Sequence, residues 1–162
     1  MRQPPVDYIQ RTRDQYAALG YGAYRWVHNS EPPPFVIPKK PMSEWRVGLV
    51  ASGGIYAEGQ IAFHHKDDTS YREIATDIAI ENLRATHFAY DLTDARRDPN
   101  VVFPISRLRE LVGEGVLGSI NAHAYTFMGG IYSSRKVTDL LAPALAERLI
   151  ADEVDVVIMV PV

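Results

Sequence analysis

The sequence contains no cysteine among its 162 residues. Disulfides, thiolate metal sites and thiol nucleophiles are therefore excluded within this chain. No apolar stretch of signal-peptide length follows the first residues, and no apolar run approaches the ~18–20 residues of a membrane span. The formal net charge of −3 and the pI of about 5.9 lack the basic excess typical of a general nucleic-acid binder. We expect a cytoplasmic protein with neither a membrane span nor a nucleic-acid partner.

Two catalytic signatures are missing as well. The sequence has no G-x-S-x-G elbow and no H-E-x-x-H motif, so serine-hydrolase and zinc-protease chemistry has no support. What remains is a chain of ordinary composition, with 46% apolar and 23% charged residues. This composition and length are those of one globular domain with a sizeable core.

The chain divides into an N-terminal region, residues 1–45, and a compact domain, residues 46–162. Residues 6–19 predict a short amphipathic helix that ends at a glycine. Residues 29–41 hold five prolines and predict an extended, polyproline-like arm, because proline fits neither a helix interior nor a central strand. This Pro-rich arm is either a spacer lying on the domain or a neighbouring subunit, or a docking ligand for a partner.

Strands alternate with helices in the compact domain, which predicts an α/β fold. Five strands are expected, at residues 47–51, 71–74, 85–90, 116–120 and 154–160. Two helices are expected, at residues 104–112 and 134–150, and Pro143 should kink or divide the second. The last strand is continuous, β-branched and nearly uncharged, like a buried parallel strand. The pattern favours a doubly wound, mainly parallel, Rossmann-like sheet that binds ligands beyond the carboxyl ends of its strands.

Two glycine pairs lie next to predicted strands. Ser52-Gly53-Gly54 directly follows the first strand, and Phe127-Met128-Gly129-Gly130 precedes the second helix. Glycines let the backbone approach a ligand there, and free amides or a helix amino end can hold an anion. The first pair matches neither the dinucleotide fingerprint nor a P-loop. Both segments are also compatible with tight turns that bind nothing.

The densest polar segment is residues 86–104. Its chemistry-bearing side chains are His87, Tyr90, Asp91, Asp94 and Asp98. Histidine exchanges a proton near neutral pH, tyrosine can donate to a developing anion, and aspartate can orient a histidine or hold a cation. The aspartates can equally form turns and cap helices. Spacing alone leaves both catalysis and structural loop fixation open.

A metal site is a weaker alternative. His64-His65 and Asp67-Asp68 offer nitrogen and oxygen ligands, but no known metal-ligand spacing supports them. Adjacent histidines in a polar loop are usually solvated. We therefore expect no metal in this chain.

Residues 85–111 read A-T-H-F-A-Y-D-L-T-D-A-R-R-D-P-N-V-V-F-P-I-S-R-L-R-E-L. This pattern resembles the selenoprotein B family of glycine, sarcosine, betaine and D-proline reductases. That family has roughly His-Phe-x-Tyr-Asp, then an Asp-rich stretch, then Asn-x-x-Phe-Pro-Ile-x-Arg-Leu. Three further segments resemble the family in the same order: residues 47–54, Thr126-Phe127-Met128-Gly129-Gly130 and Val154-Asp155-Val156-Val157. The resemblance covers about residues 46–162 and leaves out the N-terminal region.

The resemblance implies a subunit of a reductase that cleaves a carbon–nitrogen bond in a small amino-acid-like substrate of the glycine, sarcosine, betaine or D-proline type. In the family a selenocysteine or cysteine attacks and is recycled by thiol chemistry, because its low pKa keeps it ionised at neutral pH. A pyruvoyl group on a partner subunit often captures the amine substrate. The implied partners are other reductase subunits and a thiol or selenol electron carrier, in a homo- or hetero-oligomer. The alternative is a non-catalytic binding or structural subunit whose complex carries the nucleophile on another chain.

The resemblance also assigns roles to individual residues. His87 and Tyr90 become candidate acids or hydrogen-bond donors near the reacting group, and Asp91 would orient one of them. The loop would be fixed by Asp94, Asp98 and Asn100. The substrate pocket would be framed by Gly53, Gly54, Phe127, Met128, Gly129 and Gly130.

The sequence given stops at Val162, at the end of the last predicted strand, and in the family the redox residue comes just after that strand. We expect a selenocysteine or cysteine just after Val162. Three explanations would account for a sequence that stops before the redox residue. The first is a UGA codon for selenocysteine that was read as a stop. The others are a divided subunit whose partner carries the nucleophile, and a relative that has lost the reaction. We expect the chain by itself to be inactive and the last strand to self-associate or to be completed by another chain.

Overall fold

The computed structural model describes residues 6–23 and 27–162, and the chain forms two compact units, Met1–Phe35 and Val36–Val162. Residues 1–5 and 24–26 of the N-terminal region lie outside the described residues. In the first unit, helix α1 spans Tyr8–Ala18 and is capped by Asp7, which accepts a hydrogen bond from the Gln10 amide at 3.0 Å. None of its residues is buried, so the apolar face expected for this helix is exposed. Residues 27–41 contain neither helix nor strand, as their proline content predicts.

The second unit includes residues that precede the predicted domain start at Arg46. The Trp45 indole donates to the Lys40 carbonyl at 2.8 Å, and Lys40 Nζ donates to Asp155 Oδ1 at 2.8 Å. A 3₁₀ turn, Met42–Glu44, lies between these two residues. These contacts attach the segment to the beginning and the end of the compact unit.

The compact unit is built on a curled, mainly parallel sheet. Its strands are β1 (Arg46–Ala51), β3 (Arg72–Ala75), β5 (Ser119–Ile120), β6 (His123–Thr126) and β7 (Val156–Val160). Strand β1 is central: β5 and β6 pair in parallel with its first and last residues on one side, and β7 pairs in parallel along the other. Strand β3 runs antiparallel to β6. Two further strands, β2 (Ile55–Ala57) and β4 (Leu83–Ala85), form a separate antiparallel ribbon.

Apolar clusters cover both faces of β1. The remaining helices are α2 (Thr93–Arg97), α3 (Ile105–Gly113), α4 (Ser134–Lys136) and α5 (Ala142–Ala151). Leu49 of β1 belongs to a buried cluster with Leu108 of α3, whereas its neighbour Val50 belongs to one with Leu145 of α5. Burial on both faces explains why β1 reads as a continuous apolar run. In residues 6–23 and 27–162, no helix has the length and apolar content needed to cross a membrane.

Pro143 divides the second long helix, as predicted. Between α4 and α5 the residues Val137–Leu141 form a π-helical turn, and α5 begins one residue before the proline. Proline has no N–H to donate and crowds the preceding turn. The wider π turn at this point accommodates both effects.

Two predicted strands are shorter than expected. The strand predicted at 85–90 ends at Ala85, and residues 86–90 form a loop. The strand predicted at 116–120 is confined to Ser119–Ile120, and Gly118 just before it packs against the backbone of Glu44, with no room for a side chain. The sheet then continues in β6.

Strand β7 is only half-buried, which corrects the expectation of a buried strand. Met159 is 69% exposed, and no strand of the described chain pairs with the outer edge of β7. A groove of about 270 Å³ runs between β7 and α5. Its walls include Leu145, Leu149, Val157 and Met159, and every residue lining it is apolar. The sequence pattern is that of a buried strand, but only one edge of β7 is covered.

We expect this edge to drive reversible self-association. An unpaired strand edge with exposed apolar side chains is a template for pairing with another chain. Replacing Met159 with lysine should lower the weight-average mass measured by sedimentation equilibrium. Replacing Ile61, which is 82% exposed and lies outside the sheet, with lysine is the matched control and should leave the mass unchanged. A wild-type chain that stays monomeric at all concentrations would contradict the prediction.

Candidate functional site

The two predicted glycine segments meet at the carboxyl ends of β1 and β6. Gly53 and Met128 form an antiparallel bridge. The Gly54 amide donates to the Phe127 carbonyl at 3.0 Å, and the Gly129 amide donates to the Ser52 carbonyl at 2.8 Å. The tertiary fold therefore brings together two segments that the sequence analysis had selected independently.

Gly54 joins these segments to the loop after β4. Its φ of +70° is in the left-handed region, and a Cβ atom there would lie 1.9 Å from the Thr86 carbonyl oxygen. The Thr86 amide in turn donates to the Gly54 carbonyl at 2.9 Å. Both the conformation and the close backbone approach require glycine at this position. The loop that carries His87 and Tyr90 is thereby held beside the end of β1.

The carboxyl end of β7 reaches the same place. The Ser52 amide donates to the Val160 carbonyl at 3.0 Å, and the Val162 amide donates to Ser52 Oγ at 2.9 Å. Ser52 itself is buried. Ser52 is not among the site residues predicted from sequence, although its position directly after an apolar strand was the available signal. Ser52 is the side chain that ties the end of β7 to the glycine turn.

His87 is buried, with 5% of its surface exposed. Its Nδ1 accepts a hydrogen bond from the Ala89 amide at 3.0 Å, and its Nε2 is buried without a partner. Burial, and to a smaller extent the nearby His65, lowers the pKa of His87 below its ordinary value. His87 is therefore a neutral imidazole at neutral pH.

Tyr90 packs against His87, with ring centroids 4.9 Å apart. Its hydroxyl donates to the Gly53 carbonyl at 2.8 Å, which ties the loop to the glycine turn a second time. Burial raises the pKa of Tyr90 above its ordinary value, so the hydroxyl keeps its proton at neutral pH. The hydroxyl hydrogen of Tyr90 is therefore already used in its hydrogen bond to Gly53.

Asp91 lies apart from this cluster. Its side chain faces solvent, and its Oδ1 accepts from the Thr93 amide at 2.9 Å and the Thr93 hydroxyl at 2.7 Å. These bonds lower the pKa of Asp91. The structure thus places Asp91 in the turn before α2, where it orients neither His87 nor Tyr90. A short polar side chain just before a helix is the sequence signal for this role.

The remaining polar residues of the loop fix its shape. Asp98 accepts from the Asn100 amide at 3.0 Å and from the Asn100 side chain at 2.8 Å, and it caps the 3₁₀ turn Pro99–Val101. Asn100 Oδ1 accepts from the Ser106 amide at 2.9 Å. Asp94 makes an exposed ion pair with Arg97 at 3.7 Å. Loop fixation by Asp98 and Asn100 is confirmed.

Phe127, Met128 and Gly130 lie in three different environments. Met128 is fully buried, and its sulfur accepts from the Gly130 amide at 3.2 Å. Phe127 borders a cavity of about 200 Å³ that it shares with Ser52 and Pro161. A Cβ atom on Gly130 would lie 2.4 Å from the Phe88 ring, so this glycine makes room for that ring. Phe127 is the side chain of this segment that lines open space beside the end of β7.

The histidine–aspartate loop has no metal-like arrangement. Asp68 accepts from the His64 and Ser70 amides at 2.8 Å each, and Asp67 accepts from the Tyr132 amide at 2.8 Å. Within residues 6–23 and 27–162, no three His, Cys, Asp or Glu side chains are placed to hold a metal ion. The carboxylates of this loop bind backbone amides.

A larger groove, of about 670 Å³, lies along β4 and α2. Arg84, Arg96 and Arg97 line it, together with Glu81 and Thr86. Arg84 is engaged by Glu58, with 3.0 Å between the charged groups. Of the predicted site residues, none lines this groove.

The fold and site together define an α/β protein whose candidate ligand site lies at the carboxyl ends of parallel strands. Comparison with known proteins agrees with the sequence resemblance. Residues 28–162 match the sequence model of the glycine/sarcosine/betaine reductase selenoprotein B family. The chain belongs to this family.

Named relatives come from amino-acid reductase complexes. The chain is 30% identical over 129 residues to the D-proline reductase subunit gamma of Acetoanaerobium sticklandii, covering 79% of this chain and 53% of that protein. It is 32% identical over 127 residues to the glycine reductase complex component B subunit gamma of Symbiobacterium thermophilum, covering 75% and 29%. It is 28% identical over 131 residues to the sarcosine reductase complex component B subunit beta of Peptoclostridium acidaminophilum, covering 74% and 28%.

The chain therefore spans about half the length of the D-proline reductase subunit and under a third of the other two relatives. No solved structure matches it.

Proposed function

We propose that the chain supplies the substrate pocket of a selenol- or thiol-dependent reductase that cleaves a carbon–nitrogen bond in a small amino-acid-like substrate. Substrates of the glycine, sarcosine, betaine or D-proline type fit the names of its relatives. We place this reductase in the cytoplasm, in a complex with other subunits and a thiol or selenol electron carrier.

One observation carries the proposal: the segments that resemble the family converge on one edge of the sheet. Residues 52–54, 86–90 and 127–130 are joined by the Gly53–Met128 bridge and by the hydrogen bonds of Gly54 and Tyr90. Ligands of open α/β sheets bind at this edge. A doubly wound, Rossmann-like topology is part of the proposal.

We place the redox selenocysteine or cysteine of this reaction beside Val162. The Val162 amide binds Ser52 Oγ, and its side chain lies 3.4 Å from the position of a Cβ on Gly53. A nucleophile adjoining this end of β7 would face the glycine turn. Within the 162 residues no cysteine can serve, so the nucleophile is contributed from outside them. A pyruvoyl group that captures the amine would likewise belong to a partner subunit.

The reaction balances with a dithiol as the electron donor. The selenolate or thiolate bonds to the substrate carbon as the carbon–nitrogen bond breaks, and the nitrogen leaves as an amine that takes up a proton. One thiolate of the dithiol then bonds to the selenium or sulfur, the bond from that atom to carbon breaks, and the carbon takes up a proton. The second thiolate displaces the selenolate or thiolate, which is regenerated as the disulfide forms. Overall, glycine and a dithiol give acetate, ammonium and a disulfide. The carbon is reduced by two electrons, and the dithiol is oxidised by the same two.

Reconstitution tests the proposal. The chain alone should show no substrate-dependent thiol oxidation, because it contains no redox side chain. Adding partner subunits that carry the nucleophile should produce oxidation that depends on glycine, sarcosine, betaine or D-proline. Activity of the chain alone would refute the mechanism.

A non-catalytic subunit is the second candidate, and the absence of cysteine favours it. Partner subunits would then turn over equally well with this chain omitted or with its glycine turn altered. The codon that follows Val162 gives an independent check on the first candidate. UGA followed by an open frame with a nearby cysteine codon supports it.

A further inference from the structure

His87 carries a buried nitrogen that the protein leaves unpaired. In the part of the chain that the structure describes, Nε2 of His87 is the buried side-chain nitrogen or oxygen without a hydrogen-bond partner. An unmet buried polar group costs about 1–3 kcal/mol. Such a group at the edge where ligands bind calls for a partner that the chain does not supply.

The Ala89 bond determines which nitrogen carries the proton. The amide of Ala89 donates to Nδ1 at 3.0 Å, so Nδ1 must present its lone pair. A neutral imidazole then holds its proton on Nε2. Nε2 is therefore a hydrogen-bond donor, and the partner that it lacks is an acceptor.

Among the described residues, no acceptor lies within hydrogen-bond distance of this donor. The Phe88 ring stacks on the imidazole with 5.8 Å between centroids, and the Tyr90 ring lies against it. The lowered pKa of His87, caused by burial and by His65, keeps the ring from gaining a second proton at neutral pH. A neutral N–H donor still forms a charge-assisted hydrogen bond with a carboxylate, and such a bond is stronger than one between two neutral groups.

Phe88 packs against His87 and is partly exposed. Its ring is 40% exposed and is flanked by the rings of His65, at 5.8 Å, and Tyr132, at 6.3 Å. Gly130 leaves the Phe88 ring its space. Because Nε2 of His87 is buried, a neighbouring side chain has to move before a ligand can reach it.

We propose that neutral His87, through Nε2–H, binds the carboxylate of the substrate. This inference rests on the proposed function, and it identifies the part of the substrate that is recognised. Glycine, sarcosine, betaine and D-proline differ at nitrogen, but each carries a carboxylate. A donor to this shared group serves the whole substrate class, and His87 is then a binding residue and not a proton donor.

Nitrogen-15 NMR of the histidine side chains in the full chain tests the proposal directly. We expect His87 to show a protonated Nε2 and an unprotonated Nδ1 at pH 7, and acetate or betaine should shift the Nε2 resonance downfield. His64 is the internal control: its Nδ1 accepts from the Lys66 amide at 3.1 Å, but it is exposed, so carboxylate should leave it unshifted.

Two variants distinguish the acceptor role of Nδ1 from the donor role of Nε2. The carbonyl of His87→Asn can still accept from Ala89 but has no donor at the Nε2 position, so acetate binding should fall about tenfold or more. The amide nitrogen of His87→Gln reaches the Nε2 position, so binding should stay within a few-fold of wild type. Circular dichroism and thermal unfolding establish that each variant folds.

Several outcomes would overturn the inference. These are a proton on Nδ1, titration of His87 near its ordinary pKa, no shift with any carboxylate, or equal loss in both variants. A shift with methanethiolate but not with acetate would show that Nε2–H binds the thiolate or selenolate of the redox residue and not the substrate carboxylate. Because binding is measured without turnover, failure of the reductase assay with carboxylate binding intact would reject the proposed function alone.

Discussion

Replacing Gly54 with alanine is expected to lower the free energy of unfolding by roughly 3 kcal/mol or more. Its φ of +70° disfavours any residue with a Cβ, and that atom would lie 1.9 Å from the Thr86 carbonyl oxygen. The obstacle is backbone, held by the amide of Thr86 bonding back to Gly54 at 2.9 Å, so it cannot move without breaking this pairing. Urea unfolding followed by circular dichroism measures the loss.

Two control glycines separate the effect of the positive φ from the effect of the contact with Thr86. Gly59 also has a positive φ, +88°, but nothing lies within 4 Å of its Cβ position, so Gly59→Ala should cost about 1–2 kcal/mol. Gly113 has an ordinary φ and open space, so Gly113→Ala should change stability by no more than about 0.5 kcal/mol. A Gly54→Ala loss no larger than that of Gly59→Ala would show that the contact with Thr86 is unimportant.

The second large effect is expected at Asp152, which follows α5. Its Oδ2 accepts from Asn121 Nδ2 at 2.7 Å and from the Tyr125 hydroxyl at 2.8 Å. Asn121 and Tyr125 are both buried, so Asp152→Ala leaves the Tyr125 hydroxyl and one of the two Asn121 amide hydrogens unpaired, while Asn121 Nδ2 still donates to the His123 carbonyl at 2.9 Å. We expect a loss of roughly 2–4 kcal/mol by urea unfolding. Tyr125→Phe removes one donor and should cost less, and alanine at exposed Asp139 should cost nothing measurable.

The Asp152 effect should also depend on pH. Hydrogen bonds from Asn121 and then Tyr125 lower the pKa of Asp152 below its ordinary value of 3.8. A lowered carboxylate pKa in the folded state contributes stability above the ordinary pKa, and this contribution disappears as the pH falls through the lowered value. The difference between wild type and Asp152→Ala should therefore be constant from pH 5 to 7 and shrink below about pH 3.8. A difference that grows on acidification would contradict this assignment.

Much of the fold was predictable from local patterns. In β1 the run from Val47 to Ala51 is apolar because both faces are covered, and the apolar face of α3 follows the helical period. Pro143 interrupts its helix for a reason contained in the proline ring. Spacing alone leaves catalysis and loop fixation open for the aspartates of this loop, and the hydrogen bonds of Asp98 are those of loop fixation. In each case the deciding interaction lies within a few residues along the chain.

The candidate site was predictable only in part. The glycine segments and the loop with His87 were selected from sequence, but His87, Tyr90 and Asp91 could not be distinguished. They differ because the turn before α2 directs Asp91 to solvent, while Gly53 and Gly54 hold Tyr90 and His87 inward. β7 was misjudged for a similar reason. Burial depends on what lies beside a strand, and a strand's own composition does not report it.

By itself the sequence determined the α/β character, the family and the lack of any thiol chemistry within the 162 residues. It also identified the three segments, residues 52–54, 86–90 and 127–130, that form the candidate site. These properties follow from residue identity, periodicity and short-range sterics. Only the tertiary structure decided that a side chain on Gly54 would clash with the Thr86 carbonyl and that His87 presents an unpaired Nε2. The contact between Gly54 and Thr86 depends on the pairing of β2 with β4, which brings together residues far apart in sequence and which no local pattern specifies.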